Sequence, residues 1–198
     1  MLALNDLNLK NKILFYAFIF ILLNNFSFTK CKSGNCKNGF GTFMDKYGSI
    51  YVGNFKNKKF HGEGVYTWSD NTKYEGNFKK GLRNGNGYFI ITNGLIFDGE
   101  FKNDHYLRGI MIFQNGNVYN GEFKNGKFNG KGIFTTKGGE KYVGEFLDGR
   151  RNGQGIFTID GRKYVGNFKD GLFHGQGTLT YPDNRIINGE FEKGKIKN

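Results

Sequence analysis

Tyr119 to Phe134 reads YNGEFKNGKFNGKGIF. Tyr119, Gly121 and Phe123 alternate, so a strand puts all three on one face, and a glycine in the middle argues against a helix. Lys124-Asn125-Gly126-Lys127 is a tight-turn sequence, and the chain then resumes with Gly130-x-Gly132 before the apolar pair Ile133-Phe134. Strand, tight turn and returning strand make a β-hairpin.

The same reading recurs along the chain. Equivalent starts fall at Tyr51, Tyr74, Phe97, Tyr119, Tyr142, Tyr164 and Ile187, spaced by 23, 23, 22, 23, 22 and 23 residues. Two residues after each of the first six comes a glycine (Gly53, Gly76, Gly99, Gly121, Gly144, Gly166). Two further on comes Phe55, Phe78, Phe101, Phe123, Phe146 or Phe168, and the seventh unit keeps both rules with Gly189 and Phe191. Each unit closes on a second turn-prone cluster, such as Asp70-Asn71 or Asn115-Gly116. A glycine inside a strand normally weakens pairing, so its repetition implies a packing role: it leaves room for an aromatic ring to lie flat on the backbone. These tyrosines and phenylalanines therefore read as core, not as a sugar-stacking or base-stacking ladder.

The third unit, Phe97 to Val118, departs from the rule. Asp104-His105-Tyr106-Leu107 replaces the usual turn and first glycine, Gly109 alone keeps its slot, and the missing residue is expected in the turn. The segment is a bend, a recognition spot or drift in a tolerant repeat, and drift is the plainer reading.

Y-x-G-x-F-K-x-G-x-x-x-G-x-G-x-Y/F resembles the MORN repeat over residues 51–198, and Cys31 to Phe43 (CKSGNCKNGFGTF) resembles an irregular first unit. The resemblance implies an all-β fold: an elongated single sheet of antiparallel hairpins, each using the next as its core. At about 4.8 Å per strand, two strands advance each repeat by roughly 10 Å and make a rod of order 70 Å. The short, lysine-rich last unit (187–198) suits a terminal cap. MORN arrays also occur joined to kinase and methyltransferase domains. No such domain accompanies these repeats, so the resemblance implies no enzymatic activity here.

The expected organisation has three parts. Lys10 and Lys12 precede the apolar run Ile13 to Leu23 and a polar stretch, the layout of an export signal, so residues 1–30 read as a signal peptide cut near Ser27 to Lys30. A membrane anchor through an uncleaved 13–23 is the alternative, although the run has 11 residues and a spanning helix takes about 20. Residues 31–50 are an irregular first repeat or cap, and 51–198 are the array. Cys31 and Cys36 directly follow the signal, so export makes a disulfide the expected state. Two sulfurs without an adjacent His or acid make a poor metal site. The short loop they close restrains little chain entropy, so the bridge is expected to tie down the first strand.

Catalytic constellations are absent from the sequence. His61 and His174 fill one slot that holds Asn84, Asn129 and Asn152 elsewhere, and His105 lies in the irregular unit. A slot shared with Asn wants a small hydrogen-bonding group near a turn. The G-x-G pairs sit in hairpins and open no helix, so no phosphate site follows. The expectation is a protein without cofactor, metal or catalytic residues.

One series stands apart: Lys56, Lys79, Lys102, Lys124 and Lys169 each follow the strand phenylalanine and point away from the aromatic face, with Leu147 and Glu192 interrupting them. With 29 Lys and Arg against 17 Asp and Glu, the chain is formally +12, which favours anionic partners without choosing among them. Two functions follow as expectations. One is a scaffold binding a protein partner or itself, a homodimer included. The other is peripheral binding to anionic lipid or glycolipid through the lysines. Nucleic acid is not an expected partner.

Overall fold

The computed structural model describes residues 30–197. The expected signal segment therefore lies outside the described residues.

Sixteen strands form one antiparallel sheet in which each strand pairs only with its neighbours in sequence. β1 (Lys30–Gly34) and β2 (Gly39–Met44) open it. Six hairpins follow: β3 (Ile50–Lys56) with β4 (Lys59–Thr67), β5 (Lys73–Lys79) with β6 (Leu82–Ile90), and β7 (Ile96–Lys102) with β8 (His105–Ile112). Then come β9 (Val118–Lys124) with β10 (Lys127–Thr135), β11 (Lys141–Leu147) with β12 (Arg150–Ile159), and β13 (Arg162–Lys169) with β14 (Leu172–Thr180). β15 (Ile186–Glu192) and the two-residue β16 (Lys195–Ile196) close the sheet.

The turns divide between the two long edges. Along one edge, two-residue turns join each hairpin, and both turn residues have positive φ, as in Asn125 (52°) and Gly126 (74°). That conformation matches the twist of the flanking strands, which explains Asn, Asp, Lys and Gly at these tips. Along the other edge run five-residue loops such as Trp68 to Thr72. Here Trp68 N donates to Thr72 O at 2.8 Å and Asn71 N donates to Trp68 O at 3.0 Å.

Two repeats are one residue short, for different reasons. In the fifth, Asp160-Gly161 makes a two-residue turn where other repeats have the longer loop. In the third, the turn is complete at Asn103-Asp104, with φ of 49° and 68°. The expectation that this unit lacks a turn residue is therefore corrected: the residue is missing from a β-bulge. In the first repeat Gly53 pairs with Gly64 and Phe55 with Phe60, so Asn54 faces His61, Gly62 and Glu63. In the third, Glu100 pairs with Arg108 and Phe101 with Tyr106, which leaves Leu107 alone unpaired. The larger bulge needs a left-handed residue, Gly62 at φ 65°, and the smaller one does not.

One face of the sheet holds the core. The ring at each of the first six starts is 0–1 % exposed and the strand phenylalanines 1–6 %. The ring covers a cross-strand glycine pair: a Cβ on Gly132 would lie 2.6 Å from the Tyr119 hydroxyl and 2.7 Å from its ring. One glycine of each pair is on the ring's own strand and the other on the returning strand, so glycine is needed on both.

Candidate functional site

The aromatic face is built by one repeated contact. Tyr119 stacks on Phe128 (centroids 3.7 Å, 8° between planes) and meets Phe123 of its own repeat edge-on at 5.1 Å. It also meets Phe146 of the next repeat edge-on at 5.2 Å, which ties repeat to repeat. Such pairs are worth about 0.5–1.5 kcal/mol beyond area burial. The hydroxyl donates to Glu122 O at 2.8 Å, and Tyr51, Tyr74, Tyr142 and Tyr164 make the same bond. Burial pushes the hydroxyls of Tyr51, Tyr119 and Tyr142 up to about 12.

The stacking position nine residues after each start is Phe60, Arg83, Tyr106, Phe128, Arg151, Phe173 and Ile196. Where it is arginine, a guanidinium replaces the ring. Arg83 lies 4.9 Å from the Phe89 centroid and 5.1 Å from that of Phe101, with Asp104 at 3.0 Å. Arg151 lies 4.7 Å from that of Phe157, with Glu140 at 3.5 Å. A planar cation held by a carboxylate keeps the stack continuous.

The array is finished differently at its two ends. Cys31 pairs with Phe43 as Tyr51 pairs with Tyr66, so by register a cysteine stands where a tyrosine is regular. Cys31 and Cys36 are disulfide-bonded, and a Cβ on Gly41 would meet the Cys36 sulfur at 3.0 Å. The bridge thus covers the terminal glycine that a ring covers elsewhere. Beside it lies a groove of about 640 Å³, lined in part by Cys36, Phe43, Phe55 and Phe60. At the other end Ile196 lies over Gly189.

The lysine series lies on the edge formed by the two-residue turns. Lys56 pairs with Lys59, Lys79 with Leu82, Lys102 with His105, Lys124 with Lys127 and Lys169 with Leu172, each the last pair before a turn. All five series lysines are exposed, and Leu147 paired with Arg150 continues the same row. Leu82, Leu147 and Leu172 are 41–52 % exposed between the cations.

Sequence reasoning missed the rest of this far face, although strand alternation alone would have placed it. The middle residue of each Y-x-G and the one after each G-x-G align across the sheet. In the first half this row carries Glu75, Tyr88 and Asp98, paired in that order. They line a groove of about 240 Å³ together with Lys73, whose ammonium lies 3.2 Å from Glu75. In the second half the row is Ile133, Val143, Ile156 and Val165, again paired in order. Each of these is 37–41 % exposed. Four neighbouring aliphatics on the face opposite the core depart from the polar surface expected of a half-buried sheet.

The three histidines are in separate repeats. His61 sits in a bulge, His174 pairs with Asn167 beside one, and His105 lies on the exposed edge. Among the described residues, no three His, Cys, Asp or Glu side chains gather in a metal-holding group.

A family described as "MORN repeat" matches residues 51–73, 74–96, 119–141, 142–160 and 164–184, passing over the third unit. A search among curated proteins returns no match. Among solved structures, the chain is similar to the TCP domain of Drosophila melanogaster SAS-4 (dCPAP), determined in complex with a proline-rich motif of Ana2 (dSTIL). The identity is 10 %, the TM-score 0.51, and the match covers 86 % of this chain and 97 % of that one. A likeness at that identity is one of fold.

Proposed function

The chain belongs to the MORN repeat family, and from that premise we propose that it is an exported, non-catalytic scaffold holding protein partners, a second copy of itself among them, on its open sheet. The observation that carries this reading is the row Ile133, Val143, Ile156 and Val165, exposed on a sheet that no second layer covers among the described residues. Apolar side chains aligned on a rigid surface gain most when another surface covers them. The SAS-4 domain supports the reading by analogy, since a domain of similar fold forms a complex with a proline-rich motif. The sheet's ends are poorer contact points: β1 carries Lys30 and Lys32, and the last turn and strand carry Lys193 and Lys195, so end-to-end addition opposes like charges. The Cys31–Cys36 bridge supports export, because such bonds persist in oxidising compartments.

Light scattering behind size exclusion, on the full chain at low and high salt, tests the self-association part. Apolar contact predicts an assembly that persists at high salt. A monomer under both conditions removes self-association and leaves capture of a different protein.

A second reading, binding to anionic membrane, is favoured by the single edge that gathers Lys56, Lys79, Lys102, Lys124 and Lys169 with exposed leucines between them. Each lysine near an anionic surface contributes about 1 kcal/mol, and that attraction is screened by salt. Sedimentation with phosphatidylserine vesicles that disappears at high salt, and in a variant with all five lysines changed to Glu, supports it. Indifference to both changes sinks it.

A further inference from the structure

The scaffold reading leaves open what covers the aliphatic row, and we propose that it is the same row of a second copy, packed face to face about a twofold axis running parallel to the strands between β11 and β12. This inference rests on the self-association part of the proposed function and assigns it a surface.

The argument is self-complementarity. Such an axis sets β12 against β11, β13 against β10, β14 against β9 and β15 against β8. In the central row Ile133 then meets the second copy's Val165, and Val143 meets its Ile156, so the longer side chain faces the shorter across the four central strands, while farther out Asn120 faces Thr178 and Ile110 faces Asn188. On an isologous surface every contact occurs twice.

The flanking rows are compatible with the same axis. Toward the two-residue turns, Lys131 faces Asn167 and Glu145 faces Gln154. Toward the five-residue loops, Lys141 faces Thr158 and Thr135 faces Lys163. Each of these charges is placed opposite a neutral polar group. At the margin Arg108, which already pairs with Glu100 at 2.8 Å, is placed opposite Glu190, which already pairs with Lys197 at 3.0 Å. Ile112 is placed opposite Ile186, and these two are 37 % and 57 % exposed. In these three rows, from β8 to β15, the axis brings no like charges together.

Size and position agree with this. Eight strands about 4.8 Å apart, three side-chain rows deep at about 6.7 Å per row, make a footprint on the order of 750 Å² per copy, near the roughly 800 Å² that each partner gives to a standard interface. Facing sheets pack about 10 Å apart, and branched aliphatics fill that layer in β-sandwiches. The first half of the face cannot serve in the same way. Glu75 and Asp98 stand in its central row, and packing them against a second apolar surface would strip two carboxylates of water.

The test is the mass of the full chain by light scattering, with circular dichroism to establish folding. The parent chain is expected to be a dimer. Ile156→Lys places an ammonium against Val143 of the second copy and is expected to give a folded monomer, while Val52→Lys, in the same row outside the contact, leaves the dimer intact. Arg108→Glu sets Glu against Glu190 and is expected to weaken the dimer at least tenfold. Adding Glu190→Arg restores it, because the exchanged charges face each other only across the twofold. A dimer indifferent to Ile156→Lys overturns this surface while self-association stands. A monomeric parent chain overturns both and leaves the scaffold reading with capture of a different protein.

Discussion

The third and fourth repeats use the same ring-on-glycine contact with different supports. In the fourth, Tyr119 stacks flat on Phe128, bonds the Glu122 carbonyl and lies beside a bulge containing a left-handed Gly130. In the third, Phe97 has no hydroxyl, Tyr106 leans on it at 50° with centroids 4.4 Å apart, and the bulge has shrunk to Leu107. Even so, Phe97 is 0 % exposed and still covers Gly99 and Gly109. Its edge-on contacts to Phe101 and to Phe123 of the next repeat also remain. The indispensable part of a repeat is thus the buried ring over two glycines. The hydroxyl, the flat stack and the large bulge add stability to a contact that survives without them.

Alkali probes that difference with the largest expected effect. The hydroxyls of Tyr51, Tyr119 and Tyr142 are raised by burial from 10 to about 12, so the unfolded chain loses these protons first. Their contribution is complete below pH 10 and is lost as pH rises toward 12, at about 1.4 kcal/mol per pH unit for each tyrosine. Urea unfolding at pH 9 and pH 12 measures it. Phe97 cannot take part, but Tyr106, which leans on it, is also raised by burial, so it is in the Tyr106→Phe variant that amide exchange is expected to show the regular repeats loosening before the third. Uniform loosening in that variant would mean that the hydroxyls do not distinguish the repeats.

Glycine substitution comes next in size. In Gly132→Ala the new methyl meets the Tyr119 ring, and overpacking of this kind costs about 1–3 kcal/mol. In Gly126→Ala, at the turn tip, the methyl meets nothing within 4 Å and only the left-handed backbone at φ 74° resists it. That costs about 1 kcal/mol. Equal losses in urea unfolding would refute the claim that ring cover sets the glycine pattern.

The smallest expected effect is that of Tyr119→Phe, which gives the fourth repeat the hydroxyl-free ring of the third. Losing the bond to Glu122 O costs about 1 kcal/mol, measurable as a shift in the urea midpoint at constant slope. A loss several times larger would show that the hydroxyl, and not the ring, holds the repeat.

Much of this was legible in the chain. Y-x-G-x-F gives the strand, its buried face and the need for glycine, because side-chain direction on a strand depends only on position within it. Asn125-Gly126 and its equivalents give the tight turns, because consecutive positive φ selects for glycine and asparagine. The spacing of 22 residues showed that the third and fifth repeats are short, but not where. A deletion in a turn and one in a bulge give the same spacing, and only hydrogen-bond register separates Asp160-Gly161 from the shrunken bulge at Leu107.

The candidate surfaces divide along the same line. The sequence by itself determined the hairpin array, the aromatic core and the face that Lys56, Lys79, Lys102, Lys124 and Lys169 occupy, since each follows from local pattern repeated. Only the tertiary structure decided what lies beside what. Ile133, Val143, Ile156 and Val165 are unevenly spaced in the chain and become one row because bulges and turns set the register of each strand against the next. The cover of the Cys31–Cys36 bridge over Gly41 was decided in the same way, by cross-strand pairing that no single stretch of residues contains.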